Sequence, residues 1–103
     1  MEEFMEITDV KIRRIFETAP LKAVASVTFD GQFAVHDIKV ISTQEKLFIV
    51  MPSRKNPDGT YRDIAHPINT IFRHQLESTV LRAYETAVEE LNAAAEPSLH
   101  TGH

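Results

Sequence analysis

The chain has 103 residues, 43% of them apolar, which is the size of one domain with enough apolar content for a single core. It contains no cysteine, so disulfides, thiolate metal sites and cysteine nucleophiles are excluded together, and a reducing cytoplasmic setting is expected. The net charge of −4 argues against a simple polyanion binder, yet charge is segregated: ten Lys/Arg against six Asp/Glu lie between Val10 and Leu76, while acids gather at both ends.

Met1 to Phe4 form an acidic extension without the apolar stretch of a signal peptide, and no run approaches the roughly 20 apolar residues of a membrane span. Neither membrane insertion nor export is expected. From Glu6 to Ile15 the pattern predicts a first strand, with Thr8, Val10 and Ile12 on one face and Lys11 and Arg13 on the other. Ile7 falls on the wrong side of this alternation, which points to a bulge near Asp9. A loop is expected over Phe16 to Pro20.

Leu21 to Phe29 alternates cleanly, with Leu21, Ala23, Ala25, Val27 and Phe29 sharing a face. Asp30-Gly31 supplies the positive φ angles of a tight hairpin. A two-residue loop sets Val27 opposite Ala34, Ala25 opposite His36 and Ala23 opposite Ile38, with His36 on the core face. The same register puts Lys22 across from Lys39, an unfavourable pairing unless the face meets an anion or the loop has three residues. The two-residue register is preferred.

Leu47 to Met51 is apolar at every position, the pattern of a strand covered on both faces. One helix can cover one face, so a second subunit is expected on the other, with Phe48 and Val50 at a homodimer interface. A central strand in a monomeric sandwich is the alternative. Pro52 ends the strand, Pro57-Asp58-Gly59 suits a type I turn, and Thr60 to Ala65 predict a short fifth strand. Pro67 drives His66 towards extended backbone and Asn69 is placed to cap a helix. That helix is predicted from Thr70 to about Ala95, where Phe72, Leu76, Val80, Ala83, Tyr84, Ala87, Val88 and Leu91 recur at three- and four-residue steps. Pro97 should stop it, leaving residues 96–103 as a disordered tail. The expected fold is α+β over residues 5–95: a five-stranded antiparallel meander sheet followed by one long helix.

Arg54 and Lys55 are the only adjacent Arg-Lys pair, in a loop bounded by proline and glycine where cations can reach a phosphate backbone. Arg62 and Arg73 flank them and His74 adds a donor; the competing reading is a solvated loop. Asp63 with His66, and His36 with Asp37, invite an acid/base role, but Ser53 has no nucleophile-elbow motif around it. Asp63, His66, Pro67 and Asn69 read better as the junction between sheet and helix. The five histidines show no metal-ligand spacing, and no cofactor is implied. Arg73 and Arg82 lie on opposite helix faces, each with a glutamate in reach (Glu77 and Glu85), so the helix alone offers no basic stripe.

Ile7 to Arg13, Val27 to Asp30, Val35 to Ile41, and above all Met51-Pro52-Ser53-Arg54-Lys55, Pro57-Asp58-Gly59 and Asp63 to Asn69 carry a resemblance. From about Met5 to Leu91 the chain resembles the stage V sporulation protein G family (SpoVG). The resemblance implies a five-stranded antiparallel sheet with a C-terminal helix, a dimer, and a bacterial regulator of septation and, in spore formers, sporulation that binds DNA and RNA. It sets the family's basic loop on Arg54 and Lys55 and its basic helix start near Arg73. The expectation is therefore a non-enzymatic, cytoplasmic, dimeric nucleic-acid binder; the alternative is a protein-interaction module in cell division.

Overall fold

The computed structural model describes residues 5–95, so the acidic extension Met1 to Phe4 and the expected tail 96–103 lie outside the described residues. Four strands, β1 (Ile7–Ile15), β2 (Leu21–Phe29), β3 (Phe33–Ser42) and β4 (Leu47–Val50), form an antiparallel meander in that spatial order. Two short strands, β5 (Ser53–Lys55) and β6 (Tyr61–Asp63), pair with each other as a separate ribbon. The helix α1 (Thr70–Ala95) follows, so the class is α+β.

The expected fifth strand of one sheet is thus corrected to the second strand of a ribbon. Pro52 has no N–H to continue the ladder beyond β4. The chain then reverses at Asn56 to Gly59, where the Gly59 N–H donates to the Asn56 carbonyl at 3.0 Å, and pairs with itself. The Ile64 N–H donates to the Pro52 carbonyl at 2.8 Å, closing the base of the ribbon.

The core lies between one face of the sheet and α1. Ala23, Ala25, Val27 and Phe29 from β2, Ile38 and Val40 from β3, and Ile49 from β4 are buried against Leu76, Val80 and Tyr84. The helical residues are four apart, as a stripe facing one surface requires. Leu91, expected on that stripe, is 54% exposed. The helix extends ~39 Å over its 26 residues, and Leu91 lies on its last turns, beyond the buried Leu76, Val80 and Tyr84.

The β1 ladder shifts between Ile7 and Asp9, and this bulge returns Ile7 to the core face, where it packs with Val10 and Ile12. The β2–β3 register departs from expectation. Asp30 (φ 55°) and Gly31 (φ 64°) are left-handed as the turn requires, but the loop has three residues, so Phe29 faces Phe33 and Val27 faces Val35. Contacts to β1 hold this turn: Asp30 Oδ1 accepts the Glu6 N–H at 2.8 Å and Thr8 Oγ1 accepts the Gly31 N–H at 2.9 Å. A second shift follows at His36–Asp37, where Asp37 is left-handed (φ 66°), and beyond it Ala25 faces Ile38 and Val24 faces Lys39. Lys22 therefore does not oppose Lys39, and His36 leaves the core face for the exposed one.

β4 is an edge strand rather than a doubly covered one. Ile49 points into the core, while Phe48 and Val50 are half-buried. The Ile49 N–H, which a neighbouring strand would otherwise have to satisfy, donates to Glu77 Oε2 on α1 at 3.1 Å. At the start of α1, Asn69 Oδ1 accepts the Phe72 N–H at 2.6 Å and the Asn69 carbonyl accepts the Arg73 N–H at 3.1 Å, an N-cap. Asn69→Ala is expected to cost ~1 kcal/mol, read from the urea midpoint, and Asn69→Ser to restore most of it.

Candidate nucleic-acid interface

Short-range chemistry builds the tip of the ribbon. Pro57 presets φ for the turn and Gly59 takes the left-handed angle (φ 92°) that closes it. Asp58 Oδ1 accepts both the Thr60 hydroxyl (2.7 Å) and the Thr60 N–H (3.0 Å), and Asn56 Nδ2 donates to Thr60 Oγ1 at 3.0 Å. The Thr60 hydroxyl, followed by its amide, holds the Asp58 carboxyl below its ordinary value of 3.8. Because the folded value is the lower one, the order this carboxylate gives the tip is full above pH ~3.8 and lost as pH falls through the depressed value. The Thr60 amide resonance is expected to move over that acidic window, and not to move in Asp58→Asn.

The ribbon register decides how the cations are arranged. Arg54 pairs with Arg62, Lys55 with Tyr61 and Ser53 with Asp63. Directly paired residues share a face and sequence neighbours alternate, so Arg54 and Arg62 stand side by side on one face. Lys55 is on the other, with Tyr61. The adjacent Arg-Lys pair of the sequence is thus split, and the partner of Arg54 is Arg62. Both arginines are exposed and line a shallow hollow with Asn56, Pro57 and Ile64, which Lys55 and the acidic Asp63 border as well. Two like charges directly across a ladder repel, and an anion between them turns that repulsion into attraction.

Arg73 and His74 are exposed on the first turns of α1, apart from the residues lining the ribbon hollow. Asp63 faces Ser53 across the ribbon. His66 has Nδ1 3.1 Å from the Pro67 carbonyl, so its partner is backbone and not Asp63. Pro67 is half-buried beside it and Asn69 caps the helix.

Two features had no expression in the sequence reading. One is a polar contact on the exposed face of the sheet: Arg13 Nε donates to Ser26 Oγ at 3.1 Å, and Ser26 Oγ lies 2.8 Å from His36 Nδ1. The one-residue register slip at the hairpin concealed it. The other is an apolar groove where the β2–β3 hairpin end meets the start of α1, with Phe33 63%, Ile68 90% and Ile71 82% exposed along it. Isoleucine at positions 68 and 71, on either side of the capping Asn69, was its only sequence signal.

A family model described as SpoVG matches residues 5–86. The protein named "Putative septation protein SpoVG" from Thermoanaerobacter sp. is 58% identical over 86 residues, covering 84% of this chain and 94% of that relative. The protein of the same name from Clostridium beijerinckii shows the same identity and coverage, and that from Acetivibrio thermocellus is 60% identical over 82 residues, covering 80% and 87%.

Proposed function

The chain belongs to the SpoVG family, and from that premise we propose that it is a non-enzymatic regulator linked to septation and, in spore formers, to sporulation. It acts as a cytoplasmic homodimer that holds the sugar-phosphate backbone of DNA or RNA, and it uses no cofactor. The observation that carries this reading is the pairing of Arg54 with Arg62 on a ribbon set apart from the main sheet. Guanidinium groups side by side, backed by a hydrogen-bonded turn, match the charge and donor geometry of a phosphate. Lys55, Arg73 and His74 add charge around them. Such binding carries little sequence preference, because phosphates are alike along the chain. Titration of a labelled oligonucleotide at several salt concentrations tests it: affinity should fall steeply as salt rises, and a salt-independent affinity would sink the backbone mode.

Phe48 and Val50, expected at the interface, are half-buried on edge strand β4. Dimerisation is further supported by the apolar groove, where among the described residues Ile68 and Ile71 are almost wholly exposed beside a ribbon. A two-stranded ribbon is marginal on its own, and a second copy seated on this groove supports both. Ile71→Asp is expected to shift the protein to monomer in sedimentation at micromolar concentration. The same groove favours a second reading, a protein-interaction module in cell division. In that case the wild-type chain is monomeric and does not bind oligonucleotides.

A further inference from the structure

The four-stranded sheet has a second face, turned away from α1, whose composition is unlike an ordinary solvated surface. The register identifies its members. Arg14, Val24, Lys39 and Val50 form one row across all four strands, Lys11 pairs with Ser26 in another, and Ile41 pairs with Phe48 in a third. These positions alternate with the buried Ala23, Ala25, Ile38, Val40 and Ile49, which fixes them on the side opposite the helix. Cations concentrate on β1 (Lys11, Arg13 and Arg14, against one acid, Asp9) and apolar side chains on β3 and β4 (Ile41, Phe48, Val50), with Arg14 5.0 Å from the Phe16 ring and the Lys46 ammonium 5.3 Å from the Phe48 ring.

Between these halves sits the Arg13–Ser26–His36 contact. Ser26 is 6% exposed, a buried hydroxyl at the base of the face. Arginine can only donate, so Ser26 Oγ accepts from Arg13 Nε, and with a second lone pair and its own proton it can meet His36 Nδ1 in either imidazole tautomer. The Nε2 edge of the imidazole and the rest of the guanidinium stay unengaged by Ser26. One buried hydroxyl orients both side chains.

We propose that this face is a binding platform for single-stranded nucleic acid, with phosphates on the β1 cations and bases against Phe48, Ile41 and Val50. The inference rests on the nucleic-acid reading above and adds a second surface to it. Three cations against the single carboxylate of Asp9 on β1 suit an anion, and the neighbouring apolar strip decides which kind. A duplex keeps its base faces stacked inside and has no use for the strip, whereas a single strand lays its bases on it. An acidic peptide would use the cations and leave the aromatic unexplained.

The test uses the full chain with a fluorescent 12-nucleotide oligouridylate and a duplex of equal length. In Lys11→Ala/Lys39→Ala, affinity for the single strand should fall about tenfold, as expected for two exposed ion pairs. The slope of log affinity against log salt should shrink by about 1.4, two contacts at ~0.7 each, with duplex binding unchanged. Phe48→Ala should weaken the single strand without changing that slope. As a readout that needs no substitution, the His36 ring resonances of the wild-type protein should shift on adding oligouridylate. Unchanged single-strand affinity, equal loss for both ligands, or a static His36 overturns the platform while the arginine ribbon stands. If the wild-type chain binds neither ligand, the functional reading fails and the platform with it.

Discussion

Replacing Arg54 and Arg62 together by alanine is expected to weaken binding of duplex DNA about 100-fold at low salt. Two charge-assisted phosphate contacts, at ~1.5 kcal/mol each, amount to that factor. The salt slope should shrink by about 1.8, since each duplex phosphate contact contributes ~0.9. The ribbon register makes the prediction specific. Lys55→Ala, adjacent in sequence but on the opposite face, should cost much less than Arg62→Ala, which is distant in sequence but directly paired with Arg54. Arg54→Lys/Arg62→Lys should keep most of the salt slope but not all of the affinity, because an ammonium cannot reproduce the planar fork. Fluorescence anisotropy over a salt series measures both. Equal effects of Lys55→Ala and Arg62→Ala would remove the paired-arginine site.

The largest stability change should come from Leu76→Ala. Leu76 is 1% exposed, lies in the core cluster with Val80 and Tyr84, and closes the helix against the sheet. Removing it leaves a cavity as well as losing transfer free energy, so a loss of ~3–4 kcal/mol is expected, a substantial part of the ~5–15 kcal/mol that holds a domain of this kind. Leu91→Ala, at an exposed position on the last turns, should change stability by no more than ~0.5 kcal/mol. Urea unfolding separates the two. A Leu76→Ala loss below 1 kcal/mol would mean that the helix is not held by this stripe.

Long periodic elements were legible in the sequence because their patterns are local. The 3.6-residue stripe and the capping asparagine are enough to place α1, and clean alternation is enough for β2. Turn chemistry was legible too: Asp30-Gly31 and Pro57-Asp58-Gly59 each form the expected reversal. The register beyond those turns was not. The extra loop residue at Gln32 and the left-handed Asp37 each shift the ladder; the first left only the Lys22–Lys39 clash as its signature and is held by contacts of Asp30 and Gly31 with Glu6 and Thr8, and the second left none. His36 was misplaced for that reason, and the polar contact with Ser26 and Arg13 went with it. In the ribbon the opposite held. Counting outward from the Asn56–Thr60 closing pair gives Arg54 opposite Arg62, but a strand as short and polar as Ser53–Lys55 shows no periodicity to prompt the count. The Ile68–Ile71 groove stayed hidden because apolar residues next to a helix start look like core until the fold leaves them exposed among the described residues.

The bond from Ile49 to Glu77 gives the molecule an internal timer. An outward-facing amide on an edge strand ordinarily trades its hydrogen with solvent early, long before the strand's inner amides do. Here that amide is held by a side chain of the helix, 28 residues further along the chain. Its deuterium uptake should therefore slow relative to an open edge amide, and Glu77→Ala should return it to the early-exchanging class. A single resonance, that of Ile49, reports how often the hold of the helix on the edge strand is released.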